Sequence, residues 1–378
     1  MRLKTFPGGL HPPDNKQYTA HKAIVDCPLP AELVIPLSQH IGAPADVCVK
    51  VGDQVGKGQM VGQARGFVSV PVHASTSGEV VAVEPRPHPA GKPLPAVVIR
   101  PDGEDRWIDG LAGIPVEEQD DDSLRDRIRA AGIVGLGGAT FPTHVKLTPP
   151  GDKPIDTLIL NGVECEPYLT ADHRLMLESP ERIVDGITIL QRLLGVRRTL
   201  LGIEANKPDA IAVMTRACAD NGIEVVPLAV KYPQGAEKQL ILALIGKEVP
   251  SGGLPMDVGV VVQNVGTAAA VAAAVRYGWP LVERIATVSG PAIANPQNLR
   301  VRIGTPLSHL VAVCGGANGE LAKIVMGGPM MGSAQLGLEA PVTRGTSGLL
   351  LFGPGQFPRA PEGPPETRYP GKSRGGSN

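Results

Sequence analysis

Four short apolar runs recur in the middle of the chain, each followed by a stretch with helical character: "TLIL" (157–160), "RTLLGI" (198–203), "IEVVPL" (223–228) and "VGVVVQ" (258–263). Runs of this length, nearly continuous in Val, Ile and Leu, read as strands covered on both faces. The intervening segments carry helix punctuation. Ser179-Pro180-Glu181 opens one that stops near Gly195, a second runs from about Pro208 to Ala219, "AEKQLILALIG" is a third, and the alanine-rich 267–277 a fourth. Proline just inside a helix start and glycine just past its end have capping reasons. Strand–helix alternation demands a parallel sheet with helices on its faces. The predicted fold class is therefore α/β, with a Rossmann-like parallel-sheet domain over 120–280.

The flanks differ in style. Residues 1–30 read as an extended arm punctuated by Pro and Gly. Over 31–105, short β-like runs alternate with turns, and the half-repeats "VKVGDQVGKGQ" and "ASTSGEV" resemble the barrel-sandwich fold of biotinyl and lipoyl carrier domains. Those domains present a modified lysine at the hairpin tip; here the tip is "ARGFVSVPVHAS", without lysine, so a structural module is expected. "VEEQDDD" leads into a helix at about 122–131. Residues 283–335 suggest strand, strand, helix, strand in a small β-grasp-like unit. In the tail, 353–378, 12 of 26 residues are Gly or Pro, and disorder is predicted.

Composition excludes several classes. Lys+Arg number 36 against 37 Asp+Glu, and aromatics are 3%, which argues against nucleic acid as a partner. Five dispersed cysteines (Cys27, Cys48, Cys165, Cys218, Cys314) show no CxxC spacing and read as reduced, mostly packed thiols. The most apolar run, 258–275, is broken by Gln263, Asn264, Gly266 and Thr267, so a strand, turn and helix explain it better than a membrane span. None of the eight histidines falls in HExxH or another metal spacing.

"GLGGATFPTHVKL" (135–147) places three glycines within four positions, then a single lysine. A bare backbone lets N–H groups converge on a phosphate, and Lys146 adds a point charge. It is not GxGxxG, because Thr140 stands where the third glycine belongs, and "VGDQVGKGQM" fails as a P-loop on spacing. In doubly wound sheets, ligands gather at the carboxyl ends of strands. There the chain places Asn161, Glu164 and Glu166 in "NGVECEP", Tyr232, Gly235, Glu237 and Lys238 in "KYPQGAEKQ", and Gln263, Asn264 and Thr267 in "QNVGT".

Seven segments, in order, carry a resemblance to a family: "GGLHPP", "GLGGATFPTHVKL", "NGVECEPYLTADHRLM", "YPQGAEKQL", "VSGPAIANP", "RIGTPLSHL" and "MGGPMMG". Together they resemble RnfC, a component of the Rnf ion-translocating electron-transport complex, over about residues 3–352. That family's central domain is similar to the NADH- and FMN-binding subunit of respiratory complex I, and 283–332 resembles its SLBB domain. The resemblance implies an N-terminal barrel-sandwich module, a flavin/NADH domain and a C-terminal SLBB-like domain. It also implies FMN and NADH as cofactor and substrate, other Rnf subunits as partners, and a peripheral place on the cytoplasmic side of the cell membrane. In that reading a hydride passes from NADH to FMN and electrons move on towards membrane subunits. Gly135, Gly137 and Gly138 would approach flavin and phosphate and Lys146 would neutralise charge. Asn161, Gln263, Asn264 and Thr267 would offer uncharged hydrogen bonds, Gly235 would belong to the same cofactor-binding set, and Glu164, Glu166 and Glu237 would orient flavin or nicotinamide-ribose hydroxyls.

One departure stands out. The RnfC family continues into a ferredoxin-like region with closely spaced cysteines for 4Fe–4S clusters, and no two cysteines here have such spacing. A truncated product and a lost or replaced cluster module both fit, and a non-catalytic docking homologue is the alternative function. A quinone-reductase subunit related to sodium-pumping complexes shares the flanking architecture, but the retained Gly-rich loop argues against it. Asp172-His173 reads as a pocket wall or helix cap, Cys165 as packed, and "MGGPMMG" as a tight apolar turn.

Overall fold

The computed structural model describes residues 3–357; the predicted disordered tail lies, from 358 onward, outside the described residues. The N-terminal arm is not free. Leu10 and Tyr232 exchange backbone hydrogen bonds of 2.7 and 2.8 Å, and Lys4 bridges Leu228. Strand β1 (Ile24–Asp26) then pairs in parallel with Asn298–Arg300, so the arm contributes a strand to the C-terminal sheet.

Two small sheets follow. They are formed by β2 (Leu33–Pro36), β3 (Asp46–Val47), β4 (Gln54–Val55), β5 (Met60–Gln63), β6 (Val72–His73), β7 (Gly78–Arg86) and β8 (Leu94–Pro101), in orders β2-β8-β7-β4 and β3-β5-β6. Leu33, Ile35, Val61, Val80, Val97 and Ile99 are fully buried between them. All four residues of β2 are buried, against the alternation of a one-faced strand, because its other face is also covered. Val34, Ala96 and Val98 form a separate cluster there, and Val34 N–H donates to the Gly304 carbonyl (2.9 Å).

The central domain begins with α1 (Asp121–Ala130), where the Asp120 carboxylate accepts from Ser123 N–H at 2.7 Å as N-cap, and the short α2 (Thr143–Lys146). Then come β9 (Thr157–Asn161), α3 (Ala171–Glu178), α4 (Pro180–Leu194), β10 (Arg198–Glu204), α5 (Pro208–Ala217), β11 (Ile223–Leu228), α6 (Glu237–Ile245), β12 (Val260–Asn264) and α7 (Val265–Tyr277). All three pairings are parallel, in order β11-β10-β9-β12. The chain builds outward from β9 to β11, then returns to set β12 on the other side of β9. That reversal opens a crevice between the carboxyl ends of β9 and β12, the usual ligand position in open α/β sheets. The small side chains of α7 let it pack closely: a Cβ on Gly186 of α4 would lie 1.8 Å from the Ala268 carbonyl oxygen.

The C-terminal sheet exceeds the expected unit at both edges. With β13 (Glu283–Ser289), β14 (Gln297–Arg302), β15 (Lys323–Met326), β16 (Ser333–Gln335) and β17 (Gly348–Phe352), flanked by α8 (Leu307–Val313), its order is β1-β14-β13-β17-β15-β16. β17, from the "GLLLF" segment, inserts between β13 and β15 because all five of its residues are buried. A polar cluster joins arm, central domain and sheet. The Asn298 Oδ1 accepts from the Thr170 and Thr287 hydroxyls, both at 2.9 Å, and its Nδ2 donates to the Thr19 carbonyl at 3.0 Å.

Candidate functional site

The Gly-rich loop closes on itself: Gly135 N–H donates to the Phe141 carbonyl (2.9 Å) and Thr140 N–H to the Gly135 carbonyl (3.1 Å). Gly138 sits at φ 113°, a region other residues rarely adopt. Leu136 N–H donates to the Thr267 hydroxyl (2.9 Å), which fastens the loop to the first turn of α7. A Cβ on Gly137 would stand 3.4 Å from that of Asn264, so the loop runs directly against the α7 N-cap.

Loop, strand ends and α6 enclose a crevice of about 570 Å3, within the range of small-molecule sites. Of the sequence-predicted residues, Gly135, Gly137, Lys146, Asn161, Gly235, Glu237, Gln263 and Asn264 line it. Asn161 and Asn264 are register partners at the ends of β9 and β12. Lys146 Nζ donates to Glu237 Oε1 (2.8 Å) and to the Val262 carbonyl (3.1 Å), so the lysine is fixed across the crevice. Asn161 Nδ2 donates to the Gly235 carbonyl at 2.8 Å. The Gln263 side chain is buried, yet its Nε2 has no hydrogen-bond partner among the described residues.

Four predicted residues sit elsewhere. Gly138 shapes the loop from outside the lining, and Thr267 anchors it from below. Glu164, at φ 50°, turns its carboxylate onto the start of α3, accepting from the backbone N–H of Asp172 (2.8 Å) and His173 (3.2 Å). Glu166 accepts from Met330 and Met331 N–H at 2.9 and 2.8 Å, so "MGGPMMG" is tied to the central domain by a carboxylate whose pKa burial raises. Lys16 serves the same loop, donating to the carbonyls of Glu164 (2.9 Å), Glu166 (3.0 Å) and Leu169, with its pKa lowered to about 8 chiefly by burial.

The neighbouring groups have distinct states. Asp172 Oδ2 accepts from Asn264 Nδ2 at 2.6 Å, and desolvation, reinforced by the Glu164 charge, pushes its pKa up to about 7. The buried His173 meets Asp209 at 2.8 Å, but desolvation still lowers its pKa. Burial pushes the Cys165 thiol up to about 11, and its sulfur accepts from Gly235 N–H (3.3 Å), consistent with packing rather than nucleophilic chemistry. Tyr232 pairs with the arm, and Lys238 reaches the Pro250 carbonyl (3.1 Å). Sequence reasoning missed the apolar wall of Phe141, Val145, Leu254 and Met256. Its one signal was Leu254, a large apolar residue on a Gly/Pro loop, 55% exposed.

Similarity to known proteins matches this layout. Residues 4–104 match the RnfC barrel sandwich hybrid domain, 128–273 the Nuo51 FMN-binding domain, and 285–334 the SLBB domain. The RnfC component of the proton-translocating ferredoxin:NAD(+) oxidoreductase complex of Clostridium ljungdahlii is 51% identical over 349 residues, covering 92% of this chain and 76% of that protein. The chain belongs to the RnfC family. Its counterpart in the Na(+)-translocating ferredoxin:NAD(+) oxidoreductase complex of Acetobacterium woodii is also 51% identical, covering 92% of this chain and 79% of its own length. The counterpart in the ion-translocating oxidoreductase complex of Rhodobacter capsulatus is 48% identical, covering 93% of this chain and 69% of its own. Among solved structures, an NAD+-reducing NiFe-hydrogenase in the H2-reduced state superposes with a TM-score of 0.52 at 25% identity, covering 65% of this chain and 50% of that one. About two thirds of this chain thus shares its architecture with half of a chain of that hydrogenase. Among the described residues of this member, no helix is long and apolar enough to cross a membrane, and no cluster of three or more His, Cys, Asp and Glu side chains is arranged for a metal.

Proposed function

We propose that this chain holds FMN in the crevice between β9 and β12 and faces NADH there, as a peripheral oxidoreductase subunit on the cytoplasmic side of an Rnf-type membrane complex. One observation carries the reading: Gln263, whose buried amide nitrogen has no partner among the described residues, belongs to the wall of a crevice that also holds a fixed lysine and a side-chain-free loop. An amide N–H left unsatisfied in a protein interior costs about 1–3 kcal/mol, and an oxygen-rich ligand removes that cost. Ribityl, carbonyl and phosphate oxygens of FMN are such acceptors.

The residues divide the work. Lys146 supplies positive charge, while Glu237 holds its ammonium and limits the net charge of the crevice. Gly137 and Gly138 leave their backbone N–H groups approachable while Gly135 holds the loop closed through its bond to Phe141, and Gly235 lets the opposite wall pack closely on Val163 and Cys165. Asn161, Gln263 and Asn264 provide neutral hydrogen bonds; Thr267, Glu164 and Glu166 act through the loops they hold. Bound flavin supplies the conversion between hydride and single-electron transfer, which side chains cannot perform.

FMN titration of the purified chain tests the assignment. Saturable binding is expected, and Lys146→Ala should weaken it about ten- to a hundred-fold, the equivalent of a lost charged contact of about 1.5–3 kcal/mol. An unchanged Kd would remove Lys146, and a chain that binds no FMN would overturn the function and leave a docking role.

A further inference from the structure

A second cavity, of about 450 Å3, lies where the three domains meet, and it shares no lining residue with the flavin crevice. Its floor is the small-residue face of α7, Gly266, Ala269, Ala270 and Ala273. Lys57 comes from the N-terminal module and Trp107 from the segment just after it, which bridges back to Lys57, while Arg284, Arg300 and Arg302 come from β13 and β14. Trp107 and Trp279, the chain's two tryptophans, stack here with ring centroids 5.5 Å apart.

Most of the charges in this cavity neutralise one another. Arg302 pairs with Asp105 (2.6 Å) and Glu283, Arg300 with Asp26 (3.0 Å), and Lys57 with Asp105 (2.8 Å). Arg182 and Arg284 form no ion pair among the described residues. Arg182 Nε donates to the Ala269 carbonyl (3.1 Å), and both its terminal nitrogens are without a hydrogen bond among those residues. Its guanidinium carbon lies 6.0 Å from the Trp279 ring centre. Arg284, 7% exposed, donates through Nε to the Ile285 carbonyl (3.3 Å) and through Nη1 to the Arg344 carbonyl, which leaves Nη2 without a partner among the described residues. Desolvation lowers the pKa of both, that of Arg284 to about 10, and outweighs the opposing charges of Glu283 near Arg182 and Asp172 near Arg284, neither of which is within ion-pair distance.

A desolvated guanidinium with no carboxylate in direct contact keeps its fork free, and that fork fits the two oxygens of a carboxylate or phosphate. We propose that the junction cavity is a binding site for a small amphiphilic organic anion. Its acidic group is held by Arg182 and Arg284, and its apolar part lies against Ala269, Ala270, Ala273 and Leu281. Carboxylate and phosphate share the recognising chemistry. The site joins all three domains, so its ligand would also clamp their relative placement.

The two tryptophans make the cavity its own reporter. Purified protein is titrated with hexyl phosphate, hexanoate, hexanol and inorganic phosphate while tryptophan emission is recorded. At least one of the two amphiphilic anions should give a saturable change, at a concentration tenfold or more below hexanol and inorganic phosphate; which one responds identifies the acidic group. Arg182→Gln should weaken that response at least tenfold, Arg182→Lys should restore part of it, and FMN titration should be unaltered in both. Arg182 gives up a single hydrogen bond to a carbonyl, so these variants fold, and Arg284→Gln provides a second, independent loss. The proposal is overturned by the absence of a saturable response to either amphiphilic anion, by inorganic phosphate or hexanol binding equally well, or by an undiminished response in Arg182→Gln.

Discussion

Asn264 Nδ2 lies 2.6 Å from Asp172 Oδ2, and this contact joins two sites through one side chain. Asn264 lines the crevice between β9 and β12, ends β12, and caps α7 by accepting from Gly266 N–H (2.8 Å). Asp172 lines the junction cavity on the other side. Because Asn264 gives its Oδ1 to the cap, its amide hydrogens fall to Asp172 and the Asn161 carbonyl, and its orientation in the crevice is set by that carboxyl group.

The protonation of Asp172 should therefore appear in stability. Its pKa is raised from 3.8 to about 7, so between these values the folded chain binds a proton that the unfolded chain has lost. Stability attributable to this group is present at low pH and declines as pH rises through the folded pKa. Asp172→Asn removes the titration but keeps an acceptor for Asn264. Its unfolding free energy should exceed that of the wild type by about 1–2 kcal/mol at pH 8, since a tenfold change in proton affinity is worth ~1.4 kcal/mol and a cavity wall is partly screened. The advantage should shrink towards pH 5. Denaturant titrations at pH 5 and 8 that give equal differences would refute the carboxyl's role.

Glu237 is the carboxylate that steadies Lys146 across the crevice. In the flavin-loaded protein, anaerobic NADH should bleach the flavin absorbance, and Glu237→Ala should slow that bleaching about tenfold or more if the carboxylate helps place the nicotinamide ribose. The variant also frees Lys146, so FMN affinity must be measured beside it. Equal bleaching rates at saturating FMN would leave Glu237 a purely structural residue.

Gly186 tests how firmly α7 is fixed beneath both cavities. A methyl group there would meet the Ala268 carbonyl oxygen at 1.8 Å, with Ala268 Cα at 3.0 Å, and neither is the far end of a movable side chain. Gly186→Ala gains helix propensity of up to ~1 kcal/mol, but overpacking of this kind typically costs about 1–3 kcal/mol and the clash is with backbone. A net loss of about 1–2 kcal/mol is expected in urea unfolding. A gain in stability would mean that α4 and α7 separate easily.

The central sheet was legible because its signals are local. β11 falls on the predicted 223–228, and Gly195 ends α4 in the left-handed conformation that its position implied. What escaped depends on distant partners. α3 (Ala171–Glu178) has no capping side chain of its own; Glu164, from the preceding loop, fills that place, and nothing in "TADHRLM" announces it. β1 has three residues, two of them exposed, and exists because β14 offers an edge. The same cause explains Glu164 and Glu166: the sequence shows two carboxylates beside a strand end, but a positive φ and two backbone N–H groups 164 and 165 residues away decide where they point.

Gln263 gives the sharpest test of the flavin reading, because the crevice and the fold should respond in opposite directions. Its Nε2 is buried without a partner among the described residues, which burdens the chain before any ligand arrives. Gln263→Leu is close in volume and removes the unsatisfied amide, so the ligand-free protein should become more stable by about 1 kcal/mol. If the same amide meets an oxygen of FMN, the variant should bind FMN about five- to ten-fold more weakly, the equivalent of one neutral hydrogen bond of roughly 1–1.5 kcal/mol. Thermal unfolding measured with and without FMN reads both effects in one experiment: a higher Tm alone, and a smaller upward shift on adding flavin. A variant that gains stability but keeps its full FMN-induced shift would show that the orphaned amide serves some other purpose than holding flavin.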